Sequence, residues 1–248
     1  MGNHELKKGD CHRWYRSACE MFNYPAGPYG DNIKALITGG DTVLDLGCGI
    51  GVASVMMSPW CKKVIALDQD KAALACLAAH CRERKITNVA IKHGAWPLAV
   101  HIRADIVIAL HVPRILHSAA NLKLVFESAN KGGFIACQAP VSRWSEPFYD
   151  LKEELGITTD YEKCQNGCSV RGGLEVLGAS VTCEKKVYEF GQPLDVLEEV
   201  IRFISRQIGA DDSMIKTVEK QAERYAQKTG GGYMVPITRQ SCAISFVK

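Results

Sequence analysis

Three alternating glycines directly after a short apolar segment constrain the fold of this chain more than any other feature. The segment is residues 43–46, with the sequence VLDL, and the glycines are Gly47, Gly49 and Gly51. A buried strand that runs into such a turn lets the backbone bend tightly and come close to a ligand, because no side chains stand in the way. The pattern therefore predicts a strand–turn–helix unit with a ligand at the turn.

Short apolar runs recur along the first 140 residues at helix-length spacing, and they cover residues 42–46, 64–67, 89–91, 106–110 and 134–137. Runs this short and wholly apolar are typical of buried parallel strands in βαβ units. Helices are predicted between them at 52–58, 71–82 and 121–130. The sequence therefore predicts an α/β fold with a doubly wound sheet.

After the fifth apolar run, the pattern of predicted helices and strands changes. Helices are predicted at 143–156 and 174–177 and strands at 180–190 and 241–247, and the final strand alternates as a half-exposed antiparallel strand does. Apolar residues at helical spacing within 193–228 predict two helices that separate near 209–212. We therefore expect a single domain, 1–248, with a mostly parallel seven-stranded sheet. We also expect an N-terminal cap segment at 1–40 and a helical insertion at 192–232 that acts as a lid.

Composition argues against several classes of protein. The chain has 30 Lys and Arg against 27 Asp and Glu, a net charge of +3 that is too mild and too scattered for a nucleic-acid-binding surface. No stretch approaches the roughly 20 apolar residues of a membrane span. The 11 cysteines are spread along the chain without an apolar leader before them, which predicts unpaired thiols in the cytoplasm. Cys164 and Cys168 lack a second pair at zinc-like spacing, so no metal site is predicted.

Two acidic residues narrow the choice of ligand at the glycine turn. A dinucleotide fingerprint runs G-x-G-x-x-G, whereas this turn runs G-x-G-x-G and carries Asp45 two residues before its first glycine. An acid there repels a pyrophosphate and suits a ligand with a cationic amino group and a sulfonium centre. The next apolar run ends in Asp68, whose carboxylate can accept hydrogen bonds from both hydroxyls of a ribose. Asp70 is placed to cap the helix that begins at Lys71.

The segment VLDLGCGIG resembles the first motif of the class I S-adenosylmethionine-dependent methyltransferases, and the resemblance extends over about 41–138. It implies a Rossmann-like methyltransferase fold, S-adenosyl-L-methionine as cofactor and S-adenosyl-L-homocysteine as product. It also implies that the acid ending the second strand, here Asp68, binds the ribose. The residues expected to bind the cofactor are Asp45, Gly47, Cys48, Gly49, Gly51, Asp68, Gln69, Ala95, Trp96 and Leu110.

The third strand departs from the family pattern. The family commonly places Asp after the glycine of this strand to receive the adenine amino group, and this chain has Ala95 there. We expect backbone groups of Ala95 and the ring face of Trp96 to bound the adenine instead. The alternative for Trp96 is a packing role alone.

The fourth strand is similar to the family motif that ends beneath the transferable methyl group, and it ends at His111. We expect His111 to be catalytic, either removing a proton from the acceptor or orienting the acceptor or the cofactor's carboxylate. His117 is expected at the surface. Tyr15 and Tyr29 lie in the aromatic N-terminal segment, and the resemblance suggests that such segments line the acceptor pocket. Packing of a first helix is the alternative for both.

The expected activity is methyl transfer to a small-molecule acceptor. No N-P-P-Y-like motif follows the fourth strand, which argues against a DNA-base or glutamine-amide acceptor. A protein methyltransferase, an NAD-dependent oxidoreductase and a non-catalytic protein that binds the cofactor remain as alternatives. The sequence does not predict the oligomeric state.

Overall fold

The computed structural model describes residues 8–98, 102–116, 118–139, 146–158 and 167–248. Its strands are β1 Thr42–Leu46, β2 Lys63–Asp68, β3 Val89–His93, β4 Ala104–Leu110, β5 Ala129–Gln138, β6 Ser180–Glu189, β7 Gln192–Leu194, β8 Gln227–Thr229, β9 Gly232–Val235 and β10 Thr238–Val247. Its α-helices are α1 Lys8–Met21, α2 Ala26–Leu36, α3 Val52–Met57, α4 Lys71–Glu83, α5 Pro113–Leu116, α6 Ala119–Ser128, α7 Tyr149–Glu154, α8 Gly167–Val176, α9 Leu197–Ile208 and α10 Ile215–Gln221.

Seven strands form one sheet in the order β3-β2-β1-β4-β5-β10-β6. The first five strands of this order are parallel, and β10 lies antiparallel to β5. Strands β1 and β4 are the central ones and are almost wholly buried, which explains why they are apolar along nearly their whole length. The predicted α/β fold with a mostly parallel seven-stranded sheet is confirmed.

The chain divides into two compact units. The sheet unit comprises 25–140, 164–186 and 240–248, and the helical unit comprises 1–24, 141–163 and 187–239. The core of the sheet unit lies between the sheet and helices such as α6 and α8. In the helical unit, the amphipathic helix α9 buries one apolar face, which includes Val200, Phe203 and Ile204, and ends where Gly209 adopts φ of 73°.

The insertion at 192–232 differs from the prediction because it is not purely helical. Besides α9 and α10 it contains β7 and β8, and both of these strands pair with β9, which begins at the last residue of the segment, in a separate three-stranded sheet. These strands are three or four residues long, and β8 is polar and fully exposed, so they carry no apolar alternation that a sequence pattern could register. The lid role of this segment stays a prediction.

The bounds of three predicted helices also differ. Helix α8 begins at Gly167, well before the predicted 174, and α7 covers 149–154 of the predicted 143–156, of which 143–145 lie outside the described residues. The third, predicted at 121–130, ends at Ser128, and Gly132 and Gly133, which follow the predicted end of this helix, lie inside β5. A Cβ at Gly132 would lie 2.2 Å from the Phe246 carbonyl oxygen and one at Gly133 would lie 2.3 Å from the Val107 carbonyl oxygen. The glycines therefore mark a close approach of strands and not a helix end.

No helix in the described ranges is long and apolar enough to cross a bilayer.

Gly133→Ala is expected to destabilise the protein, by about 1–3 kcal/mol, because the added methyl would overlap the backbone of β4. Gly172→Ala is the matched control, since Gly172 lies within α8 and a Cβ there would meet nothing within 4 Å. That substitution should raise stability by about 0.5–1 kcal/mol through helix propensity. Urea denaturation of both variants checks the pair, and equal midpoints would contradict the close-approach explanation.

Candidate functional site

The glycine turn after β1 uses its three glycines for different purposes. All three adopt positive φ, at 69° for Gly47, 53° for Gly49 and 81° for Gly51. A Cβ at Gly47 would lie 2.3 Å from a Val112 methyl, and one at Gly51 would lie 2.1 Å from a Leu77 methyl. A Cβ at Gly49 would meet nothing within 4 Å. Gly47 and Gly51 are therefore required by packing as well as by φ, whereas Gly49 borders open space.

Hydrogen bonds attach this turn to the end of β2. The backbone N–H groups of Gly47 and Cys48 donate to the Leu67 carbonyl at 2.8 and 3.1 Å. The Gly49 N–H donates to Asp68 Oδ2 at 2.8 Å, and the Asp70 N–H donates to Asp68 Oδ1 at 2.8 Å. The Asp68 side chain is partly exposed, and each of its oxygens can accept a further hydrogen bond. Asp68 therefore both fixes the turn and presents acceptors to a ligand.

A cavity of about 400 Å³ lies at the carboxyl edge of the sheet, where the ends of β1, β2 and β3 meet the segment after β4. This is the edge at which open α/β sheets bind their ligands. Its lining residues are Gly47, Leu67, Asp68, Gln69, Gly94, Ala95, Trp96, Val112, Pro113, Arg114 and Ile115. The volume is in the range of a small-molecule or cofactor site.

Half of the predicted cofactor residues line this cavity, namely Gly47, Asp68, Gln69, Ala95 and Trp96. Cys48, Gly49, Gly51, Asp45 and Leu110 belong to the same turn and strand ends without being lining residues of the described cavity. Sequence reasoning missed 112–115, which form the wall after β4. These residues could have been suspected because they directly follow a predicted strand. Helix α5, however, is a single turn, so it shows no helical periodicity in the sequence.

Asp45 lies in the interior beneath the turn. It is 2% exposed, and Ser54 Oγ donates to its Oδ2 at 2.5 Å. Burial raises the pKa of Asp45 to about 6, with the hydrogen bond from Ser54 opposing this shift and the negative charge of Asp68 adding to it. The expected contact of Asp45 with a cationic amino group stays a prediction, and any influence it has on a ligand in the cavity is electrostatic.

The end of β3 combines a small exposed residue with a large partly buried one. Ala95 is exposed, and Trp96 packs against the hydrophobic core of the sheet unit. The indole N–H of Trp96 is buried and has no acceptor among the described residues. Packing of Trp96 is therefore observed, and its role as one side of an adenine site stays a prediction.

Burial raises the pKa of the Cys48 thiol, so this cysteine behaves as a small apolar residue.

The structure places His111 next to Tyr29, a contact that residue spacing in the sequence did not predict. Tyr29, on α2, is fully buried, and its hydroxyl lies 2.9 Å from His111 Nε2 and 2.7 Å from Ser241 Oγ on β10. His111 itself is exposed, has φ of 52°, and donates its backbone N–H to the Ala136 carbonyl at 2.8 Å. A non-glycine residue in this region is uncommon and is held by its surroundings. Ser241 was not recognised from the sequence, because a serine inside a strand carries no distinctive pattern.

The remaining predicted positions fall elsewhere. Tyr15 belongs to the helical unit, where its ring lies 6.4 Å from Tyr24 and 6.0 Å from Phe190 between centroids. Cys164 and His117 lie outside the described residues. Within the described ranges, no three His, Cys, Asp or Glu side chains are grouped closely enough to hold a metal ion.

The sequence matches no protein-family model and no curated protein. The structure is similar to solved structures at low identity. The YcgJ protein from Bacillus subtilis has a TM-score of 0.58 at 14% identity, with 88% of this chain and 97% of that one covered. A putative methyltransferase from Bacillus halodurans has a TM-score of 0.53 at 18% identity, with 86% and 95% covered.

A third similar structure contains the reaction product of this class of enzyme. It is an S-adenosylmethionine-dependent methyltransferase from Geobacter sulfurreducens in complex with S-adenosyl-L-homocysteine, with a TM-score of 0.53 at 17% identity and coverages of 88% and 89%. At such identities the likeness concerns the fold. The chain therefore has the Rossmann-like fold of the class I methyltransferases.

The buried carboxyl of Asp45 predicts a specific pH dependence of stability. Its pKa of about 6 lies above the value of about 4 in the unfolded chain, so the unfolded state gives up the proton first as pH rises. Stability should therefore fall between about pH 4 and pH 6, by roughly 2–3 kcal/mol from this group.

Asp45→Asn, which can still accept from Ser54, should remove this loss. Chemical denaturation of both proteins from pH 4 to pH 7 measures it, and identical slopes would show that Asp45 titrates normally.

Proposed function

We propose that this protein is a methyltransferase that uses S-adenosyl-L-methionine and releases S-adenosyl-L-homocysteine. The observation that carries the proposal is the cavity at the carboxyl edge of the sheet, bounded by the glycine turn on one side and by Asp68 on the next strand. The neighbour from Geobacter sulfurreducens, which has the same fold, was solved in complex with S-adenosyl-L-homocysteine. That fold alone would not suffice, because one fold can support many functions.

The residues of the cavity fit this cofactor. The open space beside Gly49 admits a ligand against the backbone, and Asp68 keeps acceptor capacity for two ribose hydroxyls. Asp45 and Asp68 give this side of the site a negative potential, which favours a cationic ligand over a pyrophosphate. Ala95 and Trp96 would bound the adenine, with Gln69, Cys48, Gly51 and Leu110 completing the surroundings. The cofactor supplies an activated methyl group on sulfur.

An NAD-dependent oxidoreductase is less well supported. The classic dinucleotide-binding sheet has parallel strands in the order 3-2-1-4-5-6. Here the antiparallel strand β10 is inserted between β5 and β6. The glycine turn also lacks the third-glycine spacing of the dinucleotide fingerprint.

We propose that His111 is the residue of this chain that acts on the acceptor. It follows β4 directly, one residue before Val112 in the cavity wall, and Tyr29 holds its imidazole at Nε2. The fully buried Ser241 bonds the same tyrosine hydroxyl, so the hydroxyl that contacts the imidazole is itself held by a second buried side chain. Such fixation provides the alignment that methyl transfer by direct displacement requires, whether His111 takes a proton or orients the acceptor.

A small molecule is the acceptor class that we favour, in a protein located in the cytoplasm. The volume of the cavity suits a cofactor with a small partner, and the modest charge of +3 does not favour a nucleic acid. The described cysteines form no disulfide with one another, which is compatible with a reducing compartment.

Binding of S-adenosyl-L-homocysteine tests the cofactor assignment. The wild-type protein should bind it in a calorimetric titration and should show no binding of NAD. Asp68→Asn should weaken the affinity about 10- to 100-fold, because a charge-assisted hydrogen bond to the ribose is lost.

Asp70→Asn is the matched control, since Asp70 caps α4 by accepting from the Ala72 N–H and Asn caps equally well. It should leave the affinity unchanged. Undiminished binding by a folded Asp68→Asn protein would refute the role of this carboxylate, and tight binding of NAD alone would refute the cofactor.

The role of His111 is tested by kinetics with an acceptor found by screening for release of S-adenosyl-L-homocysteine. His111→Ala should reduce turnover about 10²- to 10⁴-fold and leave product affinity unchanged. Tyr29→Phe keeps the ring and removes both hydrogen bonds, so it should lower turnover less and alter the pH profile. Full activity of His111→Ala with the wild-type pH profile would exclude His111 from the reaction.

A further inference from the structure

The helical unit contains a cluster of aromatic side chains that the proposed function does not use. Tyr24 lies at its centre, stacked on Tyr188 at 6.1 Å and an interplanar angle of 22°, and 4.8 Å from Phe190. Tyr15 and Phe22 contact Phe190 at 6.0 and 6.1 Å. The cluster therefore joins residues of 15–24 to the end of β6.

An arginine shares the face of β6 that carries this cluster. Thr238 Oγ1 donates to Glu189 Oε1 at 2.7 Å, and the Phe190 N–H donates to the Ile237 carbonyl at 2.8 Å. Glu189 is paired with Thr238 and Phe190 with Ile237, so residue numbers rise along β6 as they fall along β10. The two strands are therefore antiparallel here, and Arg239 lies opposite Tyr188. Residues directly opposite in such a pair have their side chains on the same face. The guanidinium of Arg239 is thus placed beside the tyrosines.

No carboxylate within the described residues balances this charge at ion-pair distance. The electrostatic neighbours of Arg239 are the hydroxyl groups of Tyr15, Tyr24 and Tyr188. Glu189 lies next to Tyr188 in sequence, but adjacent residues of a strand point to opposite faces, and its carboxylate bonds Thr238. Glu20 is engaged with Arg16 at 2.9 Å.

Burial shifts the pKa values of the groups in this cluster. Burial lowers the pKa of Arg239, and burial raises the pKa values of Tyr15 and Tyr24 well above their usual range. The Tyr15 side chain is 37% exposed. One partly buried cation is therefore surrounded by phenols that stay neutral, and a buried charge without a counter-charge is unfavourable until an anion pairs with it.

We propose that Arg239 and the tyrosines around it form a binding site for a small planar aromatic carboxylate. The guanidinium fork matches the two oxygens of a carboxylate, and a single cation balances a single negative charge better than it balances a doubly charged phosphate. The rings of Tyr15 and Phe190 offer faces and edges on which an aromatic ring can pack. The site does not rest on the proposed function, and its ligand is expected to bind without any cofactor.

Calorimetric titration of the full chain with 2-naphthoate tests the site, with neutral 2-naphthamide and with 2-naphthyl phosphate as comparison ligands. The naphthoate should bind in the absence of S-adenosyl-L-homocysteine, at least tenfold more tightly than the amide and more tightly than the phosphate. Arg239→Gln should weaken naphthoate binding about 10- to 100-fold. Lys228→Gln, which removes the same charge from an exposed position of the helical unit, should leave it unchanged.

Arg239→Lys keeps the charge without the fork and should retain intermediate affinity, which keeps the test decisive if Arg239→Gln does not fold. Absence of naphthoate binding, equal binding of the amide, or equal affinity of wild type and either folded Arg239 variant would overturn the proposal. Preferential binding of the phosphate would overturn the choice of a carboxylate. None of these results bears on cofactor binding, which the Asp68 variants test separately.

Discussion

The attachment of the glycine turn to the end of β2 is the interaction on which the cavity depends. Two backbone N–H groups of the turn converge on the Leu67 carbonyl, and a third donates to Asp68. Since the turn contains no side chain that could anchor it at Gly47 or Gly49, its position comes from these backbone bonds and from the close fit against Val112 and Leu77. One wall of the cavity is therefore built from main chain, which requires glycine and tolerates no Cβ at two of the three positions.

The attachment of the turn to β2 also brings two acidic side chains, Asp45 and Asp68, close together. Asp45 and Asp68 lie near the ends of neighbouring parallel strands, so the sheet itself brings the two carboxyl groups together, and the charge of Asp68 contributes to the raised pKa of Asp45. Hydrogen bonds stabilise both groups: Ser54 donates to the buried Asp45 carboxyl, and two backbone N–H groups donate to the Asp68 carboxylate. A cationic ligand in the cavity would relieve the remaining repulsion, whereas an anionic one would increase it.

The two polar clusters outside the turn are built from distant parts of the chain. Tyr29, His111 and Ser241 come from α2, the end of β4 and β10, and only the order of the strands makes them neighbours. Arg239 and Tyr188 meet because two strands far apart in sequence pair in a particular register. Each cluster places a charged or titratable side chain beside at least one buried tyrosine, where the low dielectric strengthens the hydrogen bonds that are made.

The sequence by itself determined the parallel sheet, the glycine turn and the acid that follows β2, because these depend on local features: apolar runs, residue spacing and the conformational freedom of glycine. It also found His111 and Tyr29 as separate candidates. Only the tertiary structure decided that Gly132 and Gly133 lie inside a strand, that Asp45 is buried beneath the turn, and that Ser241 bonds Tyr29. Close approach and side-chain pairing depend on contacts between separate elements, such as Tyr29 with Ser241 at 212 positions apart, and no local pattern carries that information.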